Sequence, residues 1–228
     1  MARQGERIVP TQLERRVYER LLDGIIAGEL PPGTPLVEAR LAEDFGVSKT
    51  PVREALIRLQ RDGLVQIEPY RGARVVEPSA SDVAEILELR TCIESHISAD
   101  LARRRPPGTL RALHRAVRRS HAALEADRRE AFVRSLIEFD DALDNGSHNS
   151  RMVRVLAELR NTLALMGALS MRAPGRPARS LAEHEAILAA IEAGDAEAAV
   201  AATERHIASV GRDVLDAAVD GRAQALAQ

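Results

Sequence analysis

Cysteine is almost missing: the 228-residue chain has one, Cys92. A lone thiol excludes a disulfide framework and a Cys-based zinc cluster. Aromatic residues make up 2% and tryptophan is absent, which argues against a base-stacking platform for single-stranded nucleic acid. Long apolar runs are lacking too. The longest, residues 163–171, is broken by Gly167 and Ser170 and is about half a bilayer span, so no membrane helix is expected. Residues 1–7 hold no apolar signal core, and the expected compartment is the cytoplasm. Neither sign of charge dominates: 32 basic and 34 acidic residues leave −2, and residues 1–78 hold 12 of each. Contact with a polyanion must therefore come from a local patch. Residues 48–74 supply one, with Lys49, Arg53, Arg58, Arg61, Arg71 and Arg74 against Glu54, Asp62 and Glu68.

What is present suffices for a core. The hydrophobic fraction is 45%, and the length suits two domains at about 100–200 residues each. Breaks at Pro31-Pro32-Gly33 and at Glu77-Pro78-Ser79 divide the chain. A first helix is predicted over residues 11–27, with Leu13, Val17, Leu21 and Ile25 recurring every four positions. A short helix over 37–45 is expected to bury Leu41 and Phe45. Gly46 supplies a permissive turn, and Ser48 can cap a third helix that runs to Asp62 with Val52, Ala55, Leu56 and Leu59 inward. Pro51 falls in its first turn, where a missing N–H costs nothing. Residues 64–67 and 73–76 read as the two strands of a hairpin. Three helices with a tight turn before the third, then a hairpin, make a winged helix-turn-helix over residues 11–77. An N-terminal arm over 1–10 and a linker over 78–81 flank it.

Only helical periods follow, with Asp82 and Glu85 at capping-box spacing. Helices are expected over residues 82–104, 109–126, 129–144, 150–171, 179–193 and 196–219. The fold class is mainly α: an N-terminal winged helix-turn-helix and a C-terminal antiparallel helical bundle over 82–220, with a tail over 221–228.

A recognition helix meets the major groove with its N-terminal residues, here Ser48, Lys49, Thr50 and Arg53. Thr50 and Ser48 suit phosphate or base-edge hydrogen bonds, and the wing tip Tyr70-Arg71-Gly72 reaches for the minor groove or backbone. The series Gly28-Glu29-Leu30-Pro31-Pro32-Gly33, Leu41-Ala42, Gly46-Val47-Ser48-Lys49-Thr50-Pro51-Val52-Arg53-Glu54-Ala55-Leu56, Asp62-Gly63-Leu64 and Gly72 resembles the DNA-binding domain of the GntR family of bacterial regulators. Lys49 is the chain's only lysine and stands where that family usually carries Arg, so the planar fork for guanine is lost. Ala39 stands where the family often has Arg; Arg40 follows and is assigned to phosphate.

The remainder, with Leu89-Arg90, Glu94, Asn149, Glu183-His184, Ile187-Leu188, Gly194-Asp195 and His206, resembles the FCD effector domain of the FadR-type branch. The resemblance implies an Asp and a His one turn apart that join two later histidines around a divalent metal. Alignment on Asn149 places the first two at Leu136 and Asp140. Leu136 brings no donor, so the implied metal set is Asp140, His184 and His206, open at its remaining positions. An alternative has the acidic pair slid by one turn, with Asp140 and Asp144 inward and Asp141 towards solvent. Zn²⁺ or Ni²⁺ suits the imidazoles, and the carboxylate admits Mn²⁺. His96, His114, His121 and His148 read as surface or satisfied core residues. Arg90 is either a helical partner of Glu94 or a pocket arginine that binds effector.

The expectation is a ligand-responsive transcriptional regulator, a repressor rather than an enzyme. It would act as a homodimer on a double-stranded, pseudo-palindromic DNA operator and answer to a small organic acid, with no membrane partner. Two alternatives stay open: a regulator with a metal-free or non-functional pocket, and a metal-dependent hydrolase built on the same three ligands.

Overall fold

A computed structural model of the protein describes residues 10–226, apart from positions 69 and 172. The expected N-terminal arm lies outside the described residues except for its last residue, which opens the first helix. The chain divides into two compact units, Met1–Glu77 and Pro78–Gln228.

The first unit runs α1 (Pro10–Ala27), β1 (Pro35–Leu36), α2 (Glu38–Phe45), α3 (Lys49–Arg61), β2 (Val65–Glu68) and β3 (Gly72–Val75). The fourfold spacing in α1 turns Val17, Leu21 and Ile25 onto Val52, Ala55, Leu56 and Leu59 of α3, all buried. Burying side chains of this kind contributes about 1.5–3 kcal/mol each. Behind α3, Tyr18 donates to Asp62 Oδ2 at 2.6 Å, and Arg58 lies 3.8 Å over the Tyr18 ring. α2 stops at Gly46, whose φ of +64° is left-handed.

Three details differ from expectation. Ser48 holds the N-cap position of α3, but its side chain makes no cap hydrogen bond, which leaves the hydroxyl unspent at the helix entrance. In α2 the fully buried residue is Ala42, with Leu41 and Phe45 only half-buried. Eight residues make barely two turns, so their wider apolar stripe cannot all face inward. The hairpin also gains a third strand: β1 pairs antiparallel with β3 (Pro35 opposite Arg74, Leu36 opposite Ala73), giving the order β1-β3-β2. A two-residue strand beside a proline has no alternation to read. Leu36 nonetheless packs into the core at 2% exposure.

The second unit is helical among its described residues: α4 (Ala80–Arg104), α5 (Pro107–Glu125), α6 (Arg129–Asp144), α7 (Ser150–Ser170), α8 (Arg176–Ala193) and α9 (Ala196–Leu226). The capping box lies three residues earlier than predicted. The Ser79 side chain accepts from the Asp82 N–H, and Asp82 accepts from the Ser79 backbone. Glu85 instead takes a hydrogen bond from Ser81 Oγ. α8 starts three residues sooner than predicted, after Gly175 in the left-handed region. α9 continues to Leu226, beyond the predicted stop at residue 219 and through most of the expected tail. The core draws on α4, α5, α6, α8 and α9, through residues such as Ile97, Leu101, Leu113, Phe139, Ile187, Ile191 and Ala199. A Cβ on Gly211 would stand 2.3 Å from Leu87 Cδ1, so α4 and α9 approach more closely there than an alanine would allow without moving Leu87. That approach sets Arg90 and Glu94 of α4 beside His206 of α9 around one pocket. No helix among the described residues is long and apolar enough to cross a membrane.

Candidate functional sites: a nucleic-acid interface and a polar pocket

At the entrance of α3, Ser48, Lys49 and Thr50 are all exposed, and the first turn holds no acidic residue. Such an end attracts a phosphate. Arg53, one turn further, is also exposed and held by Glu38 of α2. Its Nε donates at 3.0 and 3.2 Å and its Nη2 at 2.8 Å to the Glu38 carboxylate. The Arg53 hydrogen bonds hold the Glu38 carboxyl below its ordinary range. Sequence spacing does not show this pair, which joins residues fifteen positions apart. Because it is exposed, water and salt screen it, and a phosphate or base edge can compete for the guanidinium.

Arg40 points to solvent and approaches Asp44 only to 3.9 Å. At the wing, Tyr70 is fully exposed with φ +67°, and Gly72 has φ +79° with open space where a Cβ would stand. Arg71 stands 74% exposed beside Glu68, at 3.4 Å. The two positive φ values make the tight turn that projects Arg71 beyond the sheet.

In the second unit a pocket enclosing about 870 Å³ of atom-free space, part of it open to solvent, lies among α4, α6, α7, α8 and α9. Its floor is polar. Asp140 of α6, His184 of α8 and His206 of α9 place one ligand atom each within 4.8 Å of one another. His184 is 2% exposed and stacked on Phe139, with ring centroids 4.1 Å apart. Its Nε2 faces Asp140 Oδ1 at 3.5 Å and has no hydrogen-bond partner. Burial, with the nearby charges of His206, Arg176 and Arg90, pushes His184 well below the usual histidine range, so its ring is neutral. His206 Nδ1 lies 2.9 Å from Glu183 Oε2. With the proton on Nδ1, the other ring nitrogen is left bare as a ligand, a carboxylate–histidine arrangement that orients metal ligands.

Arg90 meets both descriptions that the sequence left open. It is buried and lines the pocket, and it is bound bidentately to Glu94, Nε at 2.6 Å and Nη2 at 3.1 Å. Burial opposes its charge, but Glu94 more than compensates and raises its pKa further. Leu136 lines the pocket without a donor. Asp140, Asp141 and Asp144 all reach it, and Asp141 is tied to Arg160 at 3.1 Å rather than standing alone in solvent. Burial raises the Asp140 carboxyl to about 6, against the pull of Arg90 and His206. Burial and the Glu94 and Asp140 carboxylates push Asp144 to about 8. These are the groups that desolvation and like charges keep from ionising freely.

Sequence reasoning missed Arg176. It has no exposed surface, and it pairs with Glu183 at 2.9 Å and Asp213 at 3.3 Å and donates to Ser209 at 2.5 Å. Burial works against the charge on Glu183, but His206, Ser209 and Arg176 together hold its pKa low. A chain of contacts thus runs from His206 through Glu183 to Arg176. The stretch Ala173-Pro174-Gly175-Arg176-Pro177 reads as a loop, and the only cue is a helix-starting proline just after Arg176. The other four histidines are outside the pocket: His96 and His148 are exposed, while His114 and His121 pair with Glu192 and Glu185.

Comparison with known proteins agrees with this layout. The family described as "Bacterial regulatory proteins, gntR family" matches residues 13–75, and the FCD domain matches residues 85–209. A protein of Paenarthrobacter nicotinovorans named "Probable D-xylose utilization operon transcriptional repressor" is 29% identical over 90% of this chain and 90% of its own. The transcriptional repressor RspR of Escherichia coli K12 is 27% identical, again over 90% of each chain. The crystal structure of a GntR transcriptional regulator from Rhodococcus sp. RHA1 is 25% identical and superimposes with a TM-score of 0.75, over 89% of this chain and 97% of the other. The exposed entrance of α3 beside a three-stranded wing, followed by the six-helix unit and its pocket, identifies the chain as a DNA-binding transcriptional regulator of the GntR family carrying an FCD effector domain.

Proposed function

We propose that this regulator is a ligand-responsive repressor that binds its operator as a homodimer and responds to a small organic acid held with a divalent metal in the FCD pocket. On the DNA side, Ser48, Lys49, Thr50 and Arg53 meet base edges and phosphates of the major groove. Arg40 takes a neighbouring phosphate, and Arg71 with Gly72 follows the backbone or minor groove. Phosphate contacts supply the affinity and make it fall with salt.

The observation that carries the metal reading is His184 Nε2: buried, neutral, without a hydrogen-bond partner, and turned towards Asp140. A buried polar atom left unsatisfied costs about 1–3 kcal/mol unless something occupies it. Asp140, His184 and His206 would hold the ion, with Glu183 orienting His206 and Arg90 ordering the pocket through Glu94. Donors at metal distance from one centre stand about 3–3.5 Å apart, by the ordinary bond lengths of about 2.0–2.2 Å. The present spread of up to 4.8 Å is wider than that, and the three side chains would draw together on the ion. Zn²⁺, Ni²⁺ or Mn²⁺ would supply positive charge for a carboxylate. Without it, the acidic residues of the pocket repel an anion. Occupancy shifts operator affinity by the difference in binding between the two states of the regulator.

Elemental analysis with native mass spectrometry on the purified protein tests this. One divalent metal per chain is expected in the wild type, with loss in His206→Ala. Affinity should weaken as pH falls through about 6, because Asp140 must lose its proton to bind. Stoichiometric metal retained by His206→Ala would remove that histidine from the site.

A further inference from the structure

Besides Asp140, already assigned to the metal, the pocket holds a second acid with no protein donor. Asp144 follows Asp140 by one turn of α6 and lines the same cavity, yet its Oδ1 is buried without a hydrogen-bond partner. Pocket-lining donors on α4, on α7 and at the end of α6 bond to other acceptors. Arg90 gives Nε and Nη2 to Glu94, Arg160 pairs with Asp141, and the Asn145 amide donates to the backbone carbonyl of Asp141 at 2.7 Å. Across the pocket, fully buried Arg176 keeps Nε without a partner, as His184 does Nε2. The cavity therefore leaves unsatisfied groups of both kinds, an acceptor on α6 and, on α8, the Arg176 Nε and Ser180 hydroxyl donors and a ligand nitrogen. Because Asp144 lies one turn of α6 from Asp140, which meets His184, a ligand that satisfies both must accept beside α8 and donate about one helical turn away. The remaining wall, from α7, is apolar: Val153, Leu156, Ala157, Leu163, Ala164 and Gly167.

We propose that Asp144 is an effector-binding residue, and that the effector is an acid bearing a hydrogen-bond donor, ammonium or hydroxyl, next to its carboxylate, with an apolar remainder against α7. This rests on the reading of the pocket as the effector site. A buried acid beside Glu94 and Asp140, which keep it from ionising freely, gains most from a donor that also brings positive charge and so lets it ionise, and a plain carboxylic acid supplies no such donor. Such a site rejects analogues that lack the donor more strongly than it rejects changes in apolar bulk.

The test uses three probes of one carbon skeleton: leucine, 2-hydroxy-4-methylpentanoate and 4-methylpentanoate. Each is titrated calorimetrically into the full chain with and without Zn²⁺. A donor-bearing probe should bind at least about tenfold more tightly than 4-methylpentanoate. Leucine as the tightest binder assigns an ammonium; the hydroxy acid as the tightest assigns a hydroxyl. Asp144→Ala should bring all three to within about twofold while Zn²⁺ still binds. Three equal affinities in the wild type, or an unchanged ranking in Asp144→Ala, overturns the proposal, and the wild-type comparison stands even if the variant misfolds. Zn²⁺ binding with no response to any probe also overturns it and leaves the metal reading intact. If neither Zn²⁺ nor any probe binds, the pocket reading falls and this assignment falls with it.

Discussion

The two units use arginine in opposite ways. Arg53 stands 63% exposed and its carboxylate partner Glu38 32%, so another anion can compete for the guanidinium. Arg176 has no exposed surface and is held between Glu183 and Asp213. The difference separates two kinds of binding surface. The proposed nucleic-acid interface displays charge in water, where it costs little, and draws most of its groups from one short stretch, residues 48–53, with Arg40 and the wing residues Arg71 and Gly72 added. An effector pocket gathers polar groups from α4, α6, α8 and α9 and removes them from water, so each must find a partner or await a ligand.

Truncation should break the two arginines differently, and the larger effect belongs to the buried one. Arg176→Ala empties a fully buried side-chain site and leaves half-buried Glu183 and Asp213 with His206 and Arg179 as their remaining ion-pair partners, and should destabilise folding by about 3 kcal/mol, read as a lowered denaturation midpoint in urea. A change within experimental scatter would mean that the network contributes nothing to the fold. Arg53→Ala should leave that midpoint unchanged and weaken binding to a selected operator duplex by about 5- to 150-fold. Undiminished affinity on that duplex would remove Arg53 from the interface.

How far each region could be read from sequence follows the same division. The DNA-binding unit is written locally. Gly46, Pro51 and the i, i+3, i+4, i+7 spacing of Val52, Ala55, Leu56 and Leu59 each fix their neighbours, so the helix boundaries follow within a residue or two. What escapes there depends on distant pairing: β1 needs β3, and Arg53 needs Glu38. The pocket has little local signature. Asp140, His184 and His206 are named by resemblance to a family. Glu94 and Asp144 come into view only as alternatives, and Arg176 stays hidden because its partners lie seven and 37 positions away in sequence. Helical spacing tells which face a residue shares, but not which helix will pack on that face. Ion pairs made across packed helices, and polar atoms left bare among them, become visible only once the bundle is assembled.

The central claim is that the pocket controls the grip of the exposed helix on DNA. Operator affinity measured on the full chain, stripped by chelator and then titrated with Zn²⁺ plus the tightest of the three acids, tests it most directly. A shift of about 5- to 150-fold in the wild type, absent in His184→Ala, is the predicted result. The same operator affinity with and without metal and acid, while both are seen to bind, would contradict it.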